Sequence, residues 1–138
     1  MKMKVVVDPG CSIPSRAHHT DAGLDLYARG KGWILPFCRK TFDTGVHVAI
    51  PDGYVGLLTS KSGLMSKGIT SRGTIDCGYT GSIKAVLFNH NWKPVKIHAC
   101  QKITQLVILP IETPDLDFAD KLEDTERSDG GFGSTGEF

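Results

Sequence analysis

The sequence predicts an all-β domain of barrel or jelly-roll type, on three observations. Short apolar runs recur along the chain, several with the apolar–polar alternation that a pleated strand requires. Sixteen glycines and seven prolines are mostly scattered between those runs as turn punctuation. No segment carries a three-turn amphipathic helix pattern, and Lys61 to Lys67 has room for one short turn only. Many short strands at turn-marked intervals suit a closed or double-sheet β architecture. The length, 138 residues, is that of one domain with a single core.

Taken in chain order, Met1 to Val7 has the charge of a secretory leader but far too short an apolar region. No run approaches the length of a membrane span. Val46, Val48 and Ile50 alternate with His47 and Ala49, Pro51-Asp52-Gly53 supplies a turn, and Tyr54 to Leu58 resumes the strand. This stretch reads as a β-hairpin. Ile83, Ala85 and Leu87 alternate with Lys84, Val86 and Phe88, a strand with two differently packed faces. Ile103 to Ile111 is a longer apolar run, which predicts a strand buried on both sides. Near Asp115 the composition turns acidic and polar, and from Ser128 onward it is glycine-rich with only Phe132 and Phe138 apolar. Such a tail builds no core of its own and is expected to be mobile or ordered by a partner or ligand.

Charge and cysteine usage exclude several classes. Sixteen Lys and Arg against fifteen Asp and Glu argue against a protein that grips nucleic acid by neutralising phosphates. Cys11, Cys38, Cys77 and Cys100 are widely spaced with no Cys-x-x-Cys pair, so they give neither a zinc signature nor a disulfide framework. Reduced thiols and a cytoplasmic location are expected. His18 and His19 are adjacent and the other three histidines isolated, so no ligand set forms. Trp33 and Trp92 read as core or interface aromatics.

Two glycine patterns fail as nucleotide loops. Gly131 to Gly136 fits G-x-G-x-x-G but has neither the preceding strand nor the following helix that the motif requires. Gly63 to Gly68 has the glycine spacing of a P-loop, yet Ile69-Thr70 follows where Lys-Ser or Lys-Thr is needed. Five other segments carry more: Asp21 to Ala28, Ser60 to Ile69, Gly73 to Gly81, Gln101 to Leu106, and Arg127 to Gly136. Together, in order and spacing, they resemble the trimeric dUTPase family.

That resemblance implies a dUTPase-like (β-clip) jelly-roll-like barrel over residues 1–126 and a C-terminal arm, 127–138, swapped within a homotrimer to close sites at subunit boundaries. It implies hydrolysis of dUTP to dUMP and pyrophosphate with Mg²⁺, and no stable nucleic-acid or membrane partner. Within it, Asp76 orients and deprotonates the attacking water, and Asp25 holds Mg²⁺ through water. Lys61, Ser62, Gly63, Gln105 and Arg127 bind phosphate, as do Ser134 and Thr135 beside Gly133 of the arm. Gly73, Thr74 and Ile75 read uracil through backbone groups, Tyr79 packs on the deoxyribose, and Phe132 stacks on the base. Taken singly, Asp76 reads first as an Asx-turn carboxylate and Tyr79 as a packed strand aromatic, and Asp25 also fits a structural partner of backbone or a cation. The sequence departs from the family at Lys61, where arginine is common, at Gln101 and Lys102, where Asp and Arg are common, and at Ser82, where an acid is common. Lysine keeps the charge of arginine but loses its bidentate fork. A dCTP deaminase shares the fold but uses a glutamate that is absent between Gly73 and Asn91. A regulatory protein partner engaged through the same scaffold is the alternative of another class.

Overall fold

The structure, a computed structural model, describes residues 1–138. Eleven strands and one short helix follow in order. They are β1 (Lys4–Val7), β2 (Leu24–Tyr27), β3 (Gly32–Ile34), β4 (Arg39–Asp43), β5 (Val46–Ala49), β6 (Tyr54–Thr59), α1 (Ser62–Met65), β7 (Ile69–Ser71), β8 (Gly73–Ile75), β9 (Lys84–Asn89), β10 (Val95–Ile97) and β11 (Lys102–Pro110). Every pairing is antiparallel. The sheets run β2-β11-β6-β8, β4-β9-β7, β1-β5 and β10-β3, a jelly-roll-like all-β architecture as expected.

Two apolar clusters fill it. One gathers Ile34, Phe42, Ile69, Leu87, Ile97 and Ile103. The other gathers Leu26, Val46, Val48, Leu58, Ile83 and Leu106. The alternation over 83–88 is realised in β9, where Ala85 and Leu87 are fully buried and Val86 and Phe88 half-buried. Burial of such branched side chains, at about 25 cal/mol per Å² of apolar surface, is the main force holding the sheets face to face.

Two expectations are corrected. The Pro51–Gly53 turn forms, with Tyr54 N–H donating to Pro51 O at 3.2 Å and Gly53 at φ 83°, but no hairpin follows. β5 pairs with β1, whereas β6 pairs with β11 and β8. Alternation specifies which face is buried, not which edge is bonded, and Val46, Val48 and Ile50 satisfy it by facing Leu58 across the core. Secondly, β11 is buried on both sides only in its first half; Leu109 and Ile111 are each 40% exposed. Of the core or interface positions expected for the tryptophans, neither is in the core: Trp33 is exposed, and Trp92 stands out of the surface with its ring edge-to-face on Phe37.

All four cysteines are free, and no helix is long and apolar enough to cross a membrane. Ile111 N–H donates to Gly53 O at 2.9 Å, and beyond it every hydrogen bond of the chain stays within the segment itself. Leu116, Phe118, Leu122 and Phe132 are all strongly exposed there.

Candidate active site

The four-stranded sheet aligns Asp25 of β2, Gln105 of β11 and Thr59 of β6 in one register row. Ser60, Lys61 and α1 leave the sheet from that row, so the first, second and fourth segments meet at one end of it. Asp25 is 3% exposed and its backbone is bridged to Ser15. Lys61 Nζ donates to Asp25 Oδ1 at 2.6 Å, and Lys102 Nζ lies 3.4 Å from Oδ2. A carboxylate so buried is tolerable only with cations beside it. Gln105 Nε2 donates to Ser60 O at 3.2 Å, and its amide lies so close over Gly23 that any side chain there would displace it. Ser62 and Gly63 open α1 with exposed backbone, and the first N–H groups of a helix have no intrahelical acceptor. This end therefore offers ammonium groups, a hydroxyl and free N–H donors to an anion.

The third segment lies elsewhere. β8 holds Gly73, Thr74 and Ile75 against Leu58, Leu57 and Gly56 at the far edge of the sheet. An exposed loop, 76–82, then runs to Ile83, which is fully buried. Asp76 and Tyr79 stand on that loop. Tyr79 N–H donates to Asp76 O at 3.0 Å and Tyr79 Oη to Ser82 O at 2.8 Å, so the ring is held at the surface and 42% exposed. This excludes the buried strand aromatic for Tyr79.

Sequence reasoning missed the groups that tie the loop down. Ser82 Oγ donates to Asp43 Oδ1. His47 Nδ1 lies 2.8 Å from Thr80 O, and its Nε2 lies 3.0 Å from Asp8 Oδ1. Arg29 bridges the two carboxylates, 3.2 Å from Asp8 and 3.3 Å from Asp43. Burial pushes the Asp43 carboxyl up, but hydrogen bonds from Ser82, Gly45 and Arg29 outweigh it and hold the group below its ordinary range. The Thr80 carbonyl, and then Asp8, raise His47 above its usual value against the opposing effect of burial. The only signal in the sequence was Ser82 in place of an acid; its partner Asp43 lies 39 residues away, as Asp8 does from His47.

Arg127 and the Phe132–Thr135 run form a third group. Arg127 Nε donates to Gly130 O at 2.7 Å, and Arg127, Ser134 and Thr135 line one small polar concavity. Phe132 is wholly exposed.

The three groups do not meet within one chain. Ile75 opposes Gly56, three residues along β6 from the Thr59 row, and β8 lies three strands from β2. At about 3.3 Å per residue and about 4.8 Å per strand, Ile75 is roughly 17 Å from Asp25, and Asp76 continues away from it.

No cluster of three or more metal-ligating side chains exists in the chain. The donor set at Asp25 is one carboxylate between two lysines, which would not retain a bare divalent cation. It fits a hydrated Mg²⁺ that arrives on substrate phosphates, since that ion keeps several waters and needs only one or two protein carboxylates.

Comparison with known proteins identifies the family and the fold. The dUTPase family model matches residues 10–136. The chain is 41% identical to the deoxyuridine 5'-triphosphate nucleotidohydrolase of Corynebacterium glutamicum, over 97% of this chain and 94% of that protein. It is 40% identical to the protein of the same name from Mycobacterium bovis, over 96% and 92%. Among solved structures, the dUTPase of Staphylococcus bacteriophage 80alpha with dUpNHpp superposes with a TM-score of 0.91 at 32% identity, covering 99% of both chains. A mutant dUTPase of phage phi11 of S. aureus, whose structure details the coordination of a structural Mg(II) ion, superposes at 0.83 with 30% identity, over 90% of this chain and 100% of that one. With its five segments placed on this fold, the chain belongs to the dUTPase family.

Proposed function

We propose that this protein hydrolyses dUTP to dUMP and pyrophosphate. The observation that carries the reading is the convergence of Lys61, Ser62, Gly63 and Gln105 around Asp25, an anion-binding end in a chain of the dUTPase family. In the reaction a water oxygen attacks the α-phosphorus in line with the bond to the β-phosphate. That bond breaks, pyrophosphate leaves, and Asp76 accepts the proton of the water. Lys61 and the donors of Ser62, Gly63 and Gln105 bind the triphosphate. Asp25 holds the water shell of Mg²⁺, which supplies charge neutralisation on the phosphates when bound.

Gly73 to Ile75 read uracil through backbone groups whose positions are fixed by pairing with β6. Cytosine, with donor and acceptor reversed, would leave buried polar groups unpaired. Tyr79 packs on the deoxyribose and leaves no space for a 2′-hydroxyl. Arm residues 127–138 close over the nucleotide, Phe132 on the base and Arg127, Gly133, Ser134 and Thr135 at the phosphates, excluding water. Because Asp25 and Asp76 stand far apart in one chain, a complete site takes its parts from different copies, which supports a homotrimer with an exchanged arm.

The deciding experiment is pyrophosphate release from dUTP, dCTP, dTTP and UTP, with and without Mg²⁺. Metal-dependent release from dUTP alone is expected. No release from any of them would defeat the reading. A second reading, regulatory binding of a partner protein, is favoured by the phage 80alpha relatives, described as controlling transfer of virulence genes by a G protein-like mechanism. A nucleotide-dependent pull-down that survives Asp76→Asn would separate that role from turnover.

A further inference from the structure

We propose that His47 is a positioning residue for the Asp76–Tyr79 loop, holding its Thr80 carbonyl only while the imidazole carries two protons. The inference rests on the reading of that loop as the catalytic segment.

His47 projects from β5 with its side chain 28% exposed, Nδ1 on Thr80 O and Nε2 on Asp8 Oδ1. Both partners are acceptors only, one a carbonyl and the other a carboxylate. A neutral imidazole has a single N–H to share between them, whereas the imidazolium has two. Only the charged ring therefore satisfies both contacts.

Within its own chain the loop has little else to hold it. Its base is fixed by buried Ile83 and by Ser82 on Asp43. Its other bonds, from Tyr79 to Asp76 and to Ser82, are internal. Among residues 76–81, the Thr80 carbonyl alone accepts a hydrogen bond from outside the loop, and His47 supplies it. Losing that tie frees the segment between Asp76 and Gly81 without disturbing the core beneath it.

The charged groups around His47 fix the direction of the change. Asp8 faces it from the end of β1, Asp43 from the end of β4, and Arg29 bridges the two. Lys4 lines the same groove from β1, where the cross-strand partner of His47 is apolar Val6. Cys11 packs nearby at Gly45. When the ring loses one proton, the Asp8 carboxylate retains the other on Nε2, because a charge-assisted hydrogen bond is the stronger of the two. Nδ1 then turns a lone pair to Thr80 O, and the tie becomes a repulsion. The raised value of His47 places this change above the usual 6.5: the tie is complete below 6.5 and is lost as pH rises through the folded value.

The test compares dUTP hydrolysis by wild type, His47→Asn and His47→Leu from about pH 5.5 to about pH 9, a range spanning the ordinary histidine value. The amide of asparagine, in the place of Nδ1, donates to Thr80 at every pH, and leucine donates at none. Wild type is expected to track the asparagine variant in kcat/KM at low pH and to approach the leucine variant at high pH. The gap should be about fivefold, the size of one intramolecular hydrogen bond. Amide exchange of Tyr79, Thr80 and Gly81 should follow the same crossover without any turnover. Three superposed profiles, with exchange in this loop independent of pH, would overturn the inference. Asp76→Asn is measured alongside: normal hydrolysis by that variant would remove the catalytic reading and this inference with it. An inactive Asp76→Asn with superposed His47 profiles would remove this inference alone.

Discussion

Asp25 shows how a single residue is constrained by burial before it is constrained by chemistry. Its carboxylate is almost without solvent, and Lys61 and Lys102 flank it. Removing one member of a fully buried pair costs about 3–5 kcal/mol, chiefly by stranding the other charge. Lys61 is 24% exposed and Lys102 remains, so Lys61→Met should cost less, about 2 kcal/mol. Asp25→Asn should cost only about 1 kcal/mol, because the freed lysines turn into water. Chemical denaturation of both variants checks this order, and a larger loss for Asp25→Asn would contradict it. The motif position of Asp25 was legible from sequence. Its lysine partners were not, since they lie 36 and 77 residues away along the chain and are joined only by sheet register.

At the scale of elements, the turns and strands were legible wherever local chemistry sets them. Gly53 at φ 83° terminates the Pro51 turn, and a side chain added there meets nothing within 4 Å. Gly53→Ala therefore isolates the backbone cost of a left-handed residue, about 1 kcal/mol. Gly45 also has positive φ, but a side chain there would collide with the Cys11 thiol, so Gly45→Ala should cost distinctly more. Thermal denaturation of the two variants separates strain from strain plus collision; equal shifts would show that Cys11 moves aside freely. The failed hairpin marks the limit of the same local reasoning. The turn residues fixed a reversal of the chain, while the partners of β5 and β6 were decided by strands arriving from elsewhere.

At the scale of the molecule, the arm and the distance between Asp25 and Asp76 make one coherent expectation. Deleting residues 127–138 removes no hydrogen bond to any strand, only those of Ser128 to Thr125 in the segment just before the cut, so the truncated protein should keep its melting temperature. Its hydrolysis should fall by at least about tenfold, through loss of site closure and phosphate contacts. Asp76→Asn should fall by about 10²–10⁴, the contribution of a general base. If each site draws on different copies, co-expressing these two inactive chains should restore part of the activity. A mixture as inactive as its components would place all the groups of a site in one chain. No interface is readable from composition. The exposed Leu116, Phe118 and Phe132 show a tail that finds no apolar surface on its own barrel.

The sequence by itself determined the all-β class, the turn at Pro51–Gly53, a strand over 83–88 that is realised as β9, and the five segments that resemble the family. Those depend on period, turn chemistry and residue type, which are properties of neighbours along the chain. Only the tertiary structure decided that Asp25 lies between two lysines, that β5 and β6 part company, and that His47 and Asp43 hold the loop of Asp76 and Tyr79. Pairing register and long-range hydrogen bonds arise from burial of one face against another, and many edge arrangements satisfy the same alternation. The sheet geometry also parted Asp76 from the end of the sheet that carries Asp25 and Gln105, a separation that no spacing along the chain contains.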